Sequence, residues 1–564
     1  MAPGNQFHYQ PIQLNPPQIR LLLIQPGQHN ETIRCTLIHV CLDECSEYET
    51  LSYTWGHPSG IHDDVILLQG RDFSVTRNAF AALKYLRLGS TTRTVWIDAI
   101  CIDQSNIQER SSQVQQMQFI YSNARRTVIW LGETGENSEL AVASIIDIAR
   151  YGFFDTTVSS AGLAILRQRD SDLPSMLKFQ GEDYARLTAI KDLLSRPWFH
   201  RMWVVQELSV STEAVLAYGS SYMDWNLLSD SMAVLIHCTE LAESAMIWEH
   251  AFARMATMDL CRRRRRSKHK LRGGSATING LIHDFRDFEA TDPRDKVYSL
   301  LGLAKDVHDP NEARGKALLE ARNALASIDY SKSTATVYKE LARYIIIRYR
   351  SLNLLSAALH TAPGGRTIHG LPSWTPDWSK RFRASTSAKN LYRRYRAAEG
   401  SPTTSDESLR SRISNCDPIR FSDDMNVLIV QGIRWTIAHE VFPGSAHEFL
   451  RHLPDLPHDY KPLLAIGEEL QQIEDQDAQN PRVHAHGIAK DFNTFRLSLQ
   501  RFEPLDVYTD RVFTLLDDGQ NKLMALASCE VQKGDVICFL YDQGVPFALR
   551  KMNDETGYFR LVGQ

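Results

Sequence analysis

The chain has 564 residues, 43% hydrophobic and 23% charged, with 63 basic against 67 acidic side chains and a net charge of −4. That length exceeds what one hydrophobic core serves, so roughly two to four domains are expected, and the near-neutral balance excludes a global electrostatic footprint for nucleic acid. Nine scattered cysteines, odd in number and without a C-x-x-C pair, argue against a disulfide framework and a zinc ribbon. His39, Cys41 and Cys45 form one short cluster without a second half, so no metal site is expected. The first ten residues lack the basic start and apolar core of a secretory signal. The longest apolar candidate for a membrane span, Tyr344 to Leu359, is broken by Arg348 and Arg350. An intracellular, soluble chain is the expectation.

In chain order, Ile19–Ile24 and Ile33–Val40 read as strands separated by a turn-prone P-G-Q-H-N. Tyr48–Gly56 reads as a strand running into a glycine-rich loop at 56–60, the kind of strand end where open α/β sheets hold ligands. Val65–Leu68 and Phe73–Val75 flank Gln69-Gly70-Arg71 as a hairpin, and Asn78–Leu88 has helical spacing. Thr94–Ile97 is a strand running into Asp98-Ala-Ile-Cys-Ile-Asp-Gln104. Ser105 and Gln108 read as a capping box for a helix that buries Ile107, Val114, Met117, Ile120 and Ala124. Thr127–Leu131 is the next strand, 135–180 a helical segment with a polar surface insertion, and Tyr184–Leu193 a helix.

Arg196–Leu208, R-P-W-F-H-R-M-W-V-V-Q-E-L, is expected to start a helix at Pro197. Trp203 and Glu207, four apart, share one helical face. Two readings stay open: an aromatic plate beside a carboxylate for a flat polar ligand, or an amphipathic core helix whose acid pairs with a cation. Ala214–Tyr218 is a strand ending at Gly219, and the alternation to this point predicts a mostly parallel sheet covered by helices. Residues 225–260 and 281–379 read as helical, with Leu371–Ser379 an extended packed segment. The basic run 262–270 is a solvated loop, a phosphate patch or a nuclear import signal. Residues 380–425 are linker-like, 445–505 helical, and the last fifty residues a β meander closing as a small barrel or curled sheet. The divisions expected are 17–222, an α/β domain; 223–379, a helical extension; 380–425, a flexible linker; and 426–564, an α+β region.

Three segments together resemble the fungal heterokaryon-incompatibility (HET) domain: Y-E-T-L-S-Y-T-W-G at 48–56, V-W-I-D-A-I-C-I-D-Q with Q-E-R-S-S-Q-V-Q-Q-M at 95–117, and R-P-W-F-H-R-M-W-V-V-Q-E-L at 196–208. D-P-R-D-K-V-Y-S-L-L-G-L-A at 292–304, I-D-Y-S-K at 328–332 and L-P-S-W-T-P-D-W-S at 371–379 resemble the usual extension of such proteins, which often run slightly past the point where this chain stops. The resemblance implies self/non-self recognition and programmed death of fused cells, acting in the cytoplasm, or in the nucleus if the basic run is an import signal. It also implies a fold related to the Toll/interleukin-1 receptor (TIR) domain, a flavodoxin-like sheet. Enzymatic TIR domains break the nicotinamide–ribose bond of NAD with a helical glutamate in a W-x-x-x-E setting, which Trp203-Val-Val-Gln-Glu207 matches.

On that footing Glu207 is the candidate catalytic residue, and Ser52, Tyr53, Trp55, Gly56, Asp98, Asp103, Arg201 and Trp203 are the candidate dinucleotide-binding set. Trp203, Trp55 or Tyr53 would stack on rings, and Arg201 would meet pyrophosphate. Asp98 and Asp103 would hold ribose hydroxyls or simply cap a helix start, and Cys101 reads as core. No cofactor is required and NAD is a substrate. The competing expectation is a non-enzymatic module acting by self-association or by binding a partner incompatibility protein, with no membrane and no nucleic acid involved. No G-x-S-x-G, H-E-x-x-H, P-loop or G-x-G-x-x-G template is present.

Overall fold

The computed structural model describes residues 7–13, 15–44, 47–56, 64–135, 137–151, 182–237, 249–266, 276–308, 315–350, 352, 354–359, 368–380, 419–430, 432–441, 511–517, 522–528, 531–540, 546–552 and 559–563. The loop at 57–60, most of the insertion at 135–180, residues 267–270, most of the linker-like segment and the polar segment 445–505 lie outside them. The chain divides into two units, Met1–Arg314 with Asn323–Ser333, and Gly315–Arg322 with Thr334–Gln564.

The first unit is α/β. Its strands are β1 (Gln18–Ile24), β2 (Arg34–Cys41), β3 (Glu49–Ser52), β4 (Asp64–Leu68), β5 (Arg71–Val75), β6 (Arg93–Trp96), β7 (Arg126–Trp130), β8 (Ala214–Tyr218) and β9 (Ser221–Asp224). They form one sheet in the order β5-β4-β2-β1-β6-β3-β7-β8-β9. The centre, β6-β3-β7-β8, is parallel, and β2 also pairs parallel with β4. Antiparallel pairs β1–β2, β1–β6, β4–β5 and β8–β9 extend it outward, so the sheet is mixed. Short local links explain three of the antiparallel pairs, β1–β2, β4–β5 and β8–β9. Gln69 and Gly70, at φ 52° and 77°, form the two-residue turn that closes β4–β5, because two left-handed residues match the twist of the flanking strands.

Among the four central strands the spatial order is second, first, third, fourth in chain order. The chain therefore reverses its winding direction between β3 and β7, and such a switch opens a crevice at the carboxyl ends of the strands. Helices cover both faces. Helix Arg77–Leu86, capped by the Thr76 hydroxyl, lies against β7, where Asn78 accepts from the Trp130 indole at 2.9 Å and Tyr85 packs on that ring at 5.1 Å. On the other face, Trp96 meets Tyr121 of helix Ile107–Asn123, and the Thr50 and Thr127 hydroxyls meet at 2.8 Å beneath it.

Two sequence expectations for that helix are corrected. Its cap is Asn106, which accepts from the Glu109 amide at 3.1 Å, and Ser105 instead bonds Asp103. Ile107 is 53% exposed rather than part of the buried face; as the first residue of the helix it lies beyond the edge of the packed stripe.

Gly219 ends β8 with φ +57°, and a Cβ there would lie 2.4 Å from the Thr134 methyl. Its amide also bonds the Gly132 carbonyl at 3.0 Å, which fixes the approach. Gly219→Ala is expected to cost about 1–3 kcal/mol through combined strain and clash, read as a lowered denaturation midpoint. A change under about 0.5 kcal/mol, the usual surface range, would contradict this.

In the second unit, helix Thr334–Tyr349 packs Tyr338 edge-on against Trp378 at 5.2 Å. Trp374 donates to the Asn426 carbonyl at 3.2 Å, and 371–379 is packed and non-helical as its prolines and tryptophans predicted, but it runs through two turns rather than extended, closed by the Thr375 amide on the Pro372 carbonyl and the Lys380 amide on the Asp377 carbonyl. Strands β10 (Ile419–Phe421) and β11 (Leu428–Val430) form a hairpin at the end of the segment read as a linker. The remaining strands, β12 (Gly432–Val441), β13 (Arg511–Asp517), β14 (Lys522–Ser528), β15 (Val536–Leu540), β16 (Pro546–Lys551) and β17 (Phe559–Gly563), make an antiparallel sheet ordered β14-β13-β12-β15-β16-β17. Buried Asp535 fixes its turn, accepting from Nε and Nη2 of Arg550 at 2.9 Å each. No helix among the described residues is long and apolar enough to cross a membrane.

Candidate active site

The three segments quoted from 48–56, 95–117 and 196–208 meet at the carboxyl ends of β3 and β6. The third is not one helix, as its Pro197 start suggested. A 3-10 turn spans Pro197–His200, Arg201 is extended, and the α-helix runs Trp203–Val210. The break has a partner: the Glu289 amide donates to the His200 carbonyl at 2.5 Å, and the Met202 amide donates to the Glu289 carbonyl at 2.8 Å. A passing backbone thus takes the bonds a continuous helix would have made.

Helix Trp203–Val210 is buried all round from Val204 to Val210. Val204, Val205 and Leu208 are fully covered, each stabilising by roughly 1.5–3 kcal/mol. Within this apolar shell Glu207 is 1% exposed, and a buried acid must be partnered or protonated. Its Oε2 accepts from the Ser52 hydroxyl, and Ser52 Oγ accepts from the Trp198 indole at 2.7 Å. An indole only donates, so the serine's single proton is free for the ionised glutamate. Burial pushes Glu207 from 4.5 up to about 7, opposed by Arg201 and by the Ser52 bond and reinforced by Asp98.

Tyr53 follows Ser52 and is 1% exposed. Its hydroxyl is buried without a hydrogen-bond partner among the described residues, within electrostatic reach of Asp98, Arg201 and Glu207. Its carbonyl accepts from Arg201 Nη1. That is the guanidinium's hydrogen bond among the described residues, and no ion pair joins it there, leaving donors of its five N–H groups unspent. Asp98, half-buried, starts a short helix at the end of β6 and accepts from its neighbour's amide, Ala99, at 2.7 Å. The Trp55 indole donates to both of its oxygens at 3.1 and 3.0 Å, and Trp55 is 37% exposed, so this pair forms the open side of the cluster. Burial raises the Asp98 carboxyl, with Arg201 the largest opposing influence.

Ser52, Tyr53, Trp55, Asp98, Arg201 and Glu207 are therefore brought together. Trp203 shares the helix with Glu207, and its indole is one of the groups that hold the Asp295 carboxyl down. Gly56 sits beside Trp55 at φ +96° with open space where a side chain would be. Asp103 is turned away: its carboxylate accepts from Ser105 at 3.0 and 2.6 Å, which is the local turn role rather than a ligand role. Cys101 is fully buried and pushed up to about 12, a core thiol as expected. No group of three or more potential metal ligands occurs among the described residues.

Sequence reasoning missed three supports. Glu109 is buried against Arg20, with Nη1–Oε1 at 2.5 Å and Nη2–Oε2 at 3.0 Å, and it also accepts from the Asp103 amide at 2.7 Å. Arg262, 2% exposed, donates to the Leu208 carbonyl at 2.5 Å and the Ser211 carbonyl at 3.0 Å, closing the carboxyl end of the Glu207 helix. Arg263 bonds Asp259 and Asp230, so the start of the basic run is a helix end held by partners and not a solvated loop. Helical spacing from Asp259 to Arg263 was the available signal for the last.

Residues 48–207 match the family described as "Heterokaryon incompatibility protein (HET)". Over 448 residues, 68% of this chain, the sequence is 27% identical to heterokaryon incompatibility protein 6, OR allele, of Neurospora crassa. The chain spans about three fifths of that relative's length, 61%. No solved structure matches. The matched range begins at Tyr48 and ends on Glu207, enclosing every strand and helix that supplies the cluster above up to that acid: residues 48–207 carry the HET-domain match, and the chain is similar to a fungal heterokaryon incompatibility protein.

Proposed function

We propose that this chain acts in fungal incompatibility, the role named for its relative, as a TIR-like enzyme that hydrolyses NAD to nicotinamide and ADP-ribose in the cytoplasm. The observation that carries the reading is the buried Tyr53 hydroxyl, without a partner among the described residues, within electrostatic reach of Glu207, Arg201 and Asp98, because a buried polar group without a partner costs about 1–3 kcal/mol and calls for a ligand that supplies one. The reversal of strand order beside Ser52 supports it, being where doubly wound sheets bind nucleotides.

Nicotinamide leaves as a neutral group from a pyridinium, so the glycosidic bond breaks without a general acid and positive charge gathers on the ribose. Glu207, held by Ser52, is the carboxylate that stabilises this charge. The approaching cation draws its proton off, since an opposite charge favours the ionised form. Asp98 holds ribose hydroxyls, Arg201 meets pyrophosphate, and Trp55 or Trp203 stacks on a ring. Water then takes the ribosyl carbon, and its proton is released.

A second reading is favoured by the burial of Glu207 at 1% exposure with Ser52 as its partner. There the acid is a structural anchor, and the protein signals by self-association or partner binding. Full-length protein, alone and artificially clustered, is expected to release nicotinamide from NAD, measured by chromatography. Glu207→Gln is expected to lower the rate by about 10²-fold or more while near-ultraviolet circular dichroism stays native. An undiminished rate in this variant removes Glu207 from the chemistry. Absence of release from wild-type protein in either form, with cell killing retained, selects the second reading.

A further inference from the structure

The site does not end with the HET domain. Asp295 lies 88 residues beyond Glu207, yet the Trp203 indole and the Arg201 charge both act on its carboxyl, lowering it. It also accepts from the Tyr330 hydroxyl at 2.7 Å. Tyr330 is gripped in turn: the Arg110 guanidinium lies 4.0 Å above its ring, its amide donates to Ser111 at 3.2 Å, and Arg294 donates to its carbonyl at 2.5 Å. Arg294 is itself clamped on Asp292 at 2.9 and 2.7 Å. The Glu289 backbone holds His200 and Met202 on either side of Arg201. Buried Lys296 donates to the Arg286 carbonyl at 2.7 Å and to that of Phe288, fixing the segment that carries Glu289.

We infer that Asp295 is a positioning residue of the candidate site, setting the Trp203 ring and the field around Arg201, so that segments 286–296 and 328–332 complete what residues 48–207 begin. The inference rests on the reading of the cluster as a ligand site. Three carboxyls then lie within electrostatic reach of one arginine: Glu207 from the helix Trp203–Val210, Asp98 from the end of β6, and Asp295 from outside the domain. Each is raised by burial, Asp295 to about 6, with Tyr330, Trp203 and Arg201 pulling it down and Asp292 pushing it up. Such an arrangement favours a ligand that carries a positive charge, and it places one ionisable group under the control of the extension.

The test uses the full chain with ¹⁵N-labelled tryptophan, the Trp203 signal being assigned from Trp203→Phe. The Trp203 indole signal is expected to titrate with a midpoint near pH 6, to lose that transition in Asp295→Asn, and to shift its midpoint upward in Tyr330→Phe, which removes one bond to the carboxylate while the fold is retained. In parallel, nicotinamide release from NAD by Asp295→Asn is expected to fall about tenfold at neutral pH and to lose the wild type's acid-side dependence near pH 6. A Trp203 signal that does not titrate, or that titrates unchanged in both variants, overturns the inference. Titration as expected with no nicotinamide release from wild-type protein instead leaves Asp295 holding Trp203 and defeats the NAD reading alone.

Discussion

Glu109→Gln is expected to destabilise the unit carrying the site by about 3–5 kcal/mol, the range for removing one partner of a buried ion pair. Arg20 is 1% exposed and Glu109 6%, so the arginine left behind keeps a buried charge and faces an amide N–H where it faced an oxygen. Its remaining bonds, to the Cys101 carbonyl at 3.0 Å and the Gln10 carbonyl at 2.7 Å, do not neutralise it. The same substitution weakens the bond that Glu109 accepts from the Asp103 amide, loosening the loop that presents Asp98. Chemical denaturation of the variant against wild type measures the loss. A cost below about 1 kcal/mol would mean that solvent reaches the pair and that it behaves as a surface bridge.

The second large effect is the pH dependence set by Glu207. Its carboxyl is raised from 4.5 to about 7, so the folded chain holds the proton more tightly than the unfolded chain. Between those two values the unfolded state ionises first, and stability falls as pH rises. The penalty is absent below pH 4.5 and complete above about pH 7, on the order of 3 kcal/mol. Glu207→Gln cannot ionise, so relative to wild type it is expected to gain stability between pH 5 and pH 8. Asp98 and Asp295 shift in the same direction, but both remain in the variant, so the difference between the two proteins isolates Glu207. Denaturation midpoints compared at pH 5 and pH 8 decide it. An unchanged difference would show that Arg201 holds Glu207 ionised throughout.

These two residues mark how far the chain could be read without its fold. Glu109 lies in the quoted Q-E-R segment, and its partner Arg20 is 89 positions away with no local pattern to connect them. Glu207 was visible through its spacing from Trp203, but the partner that fixes its state, Ser52, is 155 residues distant. The expectation that Trp203 and Glu207 act on one face was a helical-period argument. It places them on one helix correctly, yet the indole acts on Asp295, a residue from the extension. Asp98 and Asp103 looked equivalent after β6. The structure separates them, because Asp98 meets Trp55 while Asp103 serves its own turn.

What the sequence by itself determined is local or repetitive. Alternation and β-branched runs placed β1, β2, β6, β7 and β8. Gln69-Gly70 announced the β4–β5 turn, and three motifs announced the HET domain, because each depends on neighbours a few residues apart. Tertiary structure alone decided the rest. Sheet order was one such matter, with antiparallel strands flanking a parallel centre. The break at Arg201 was another, made by a backbone arriving from Glu289. So was the ionisation of Glu207, Asp98 and Asp295, since desolvation and the field of one arginine depend on which distant side chains close around a carboxyl, and no spacing along the chain carries that information.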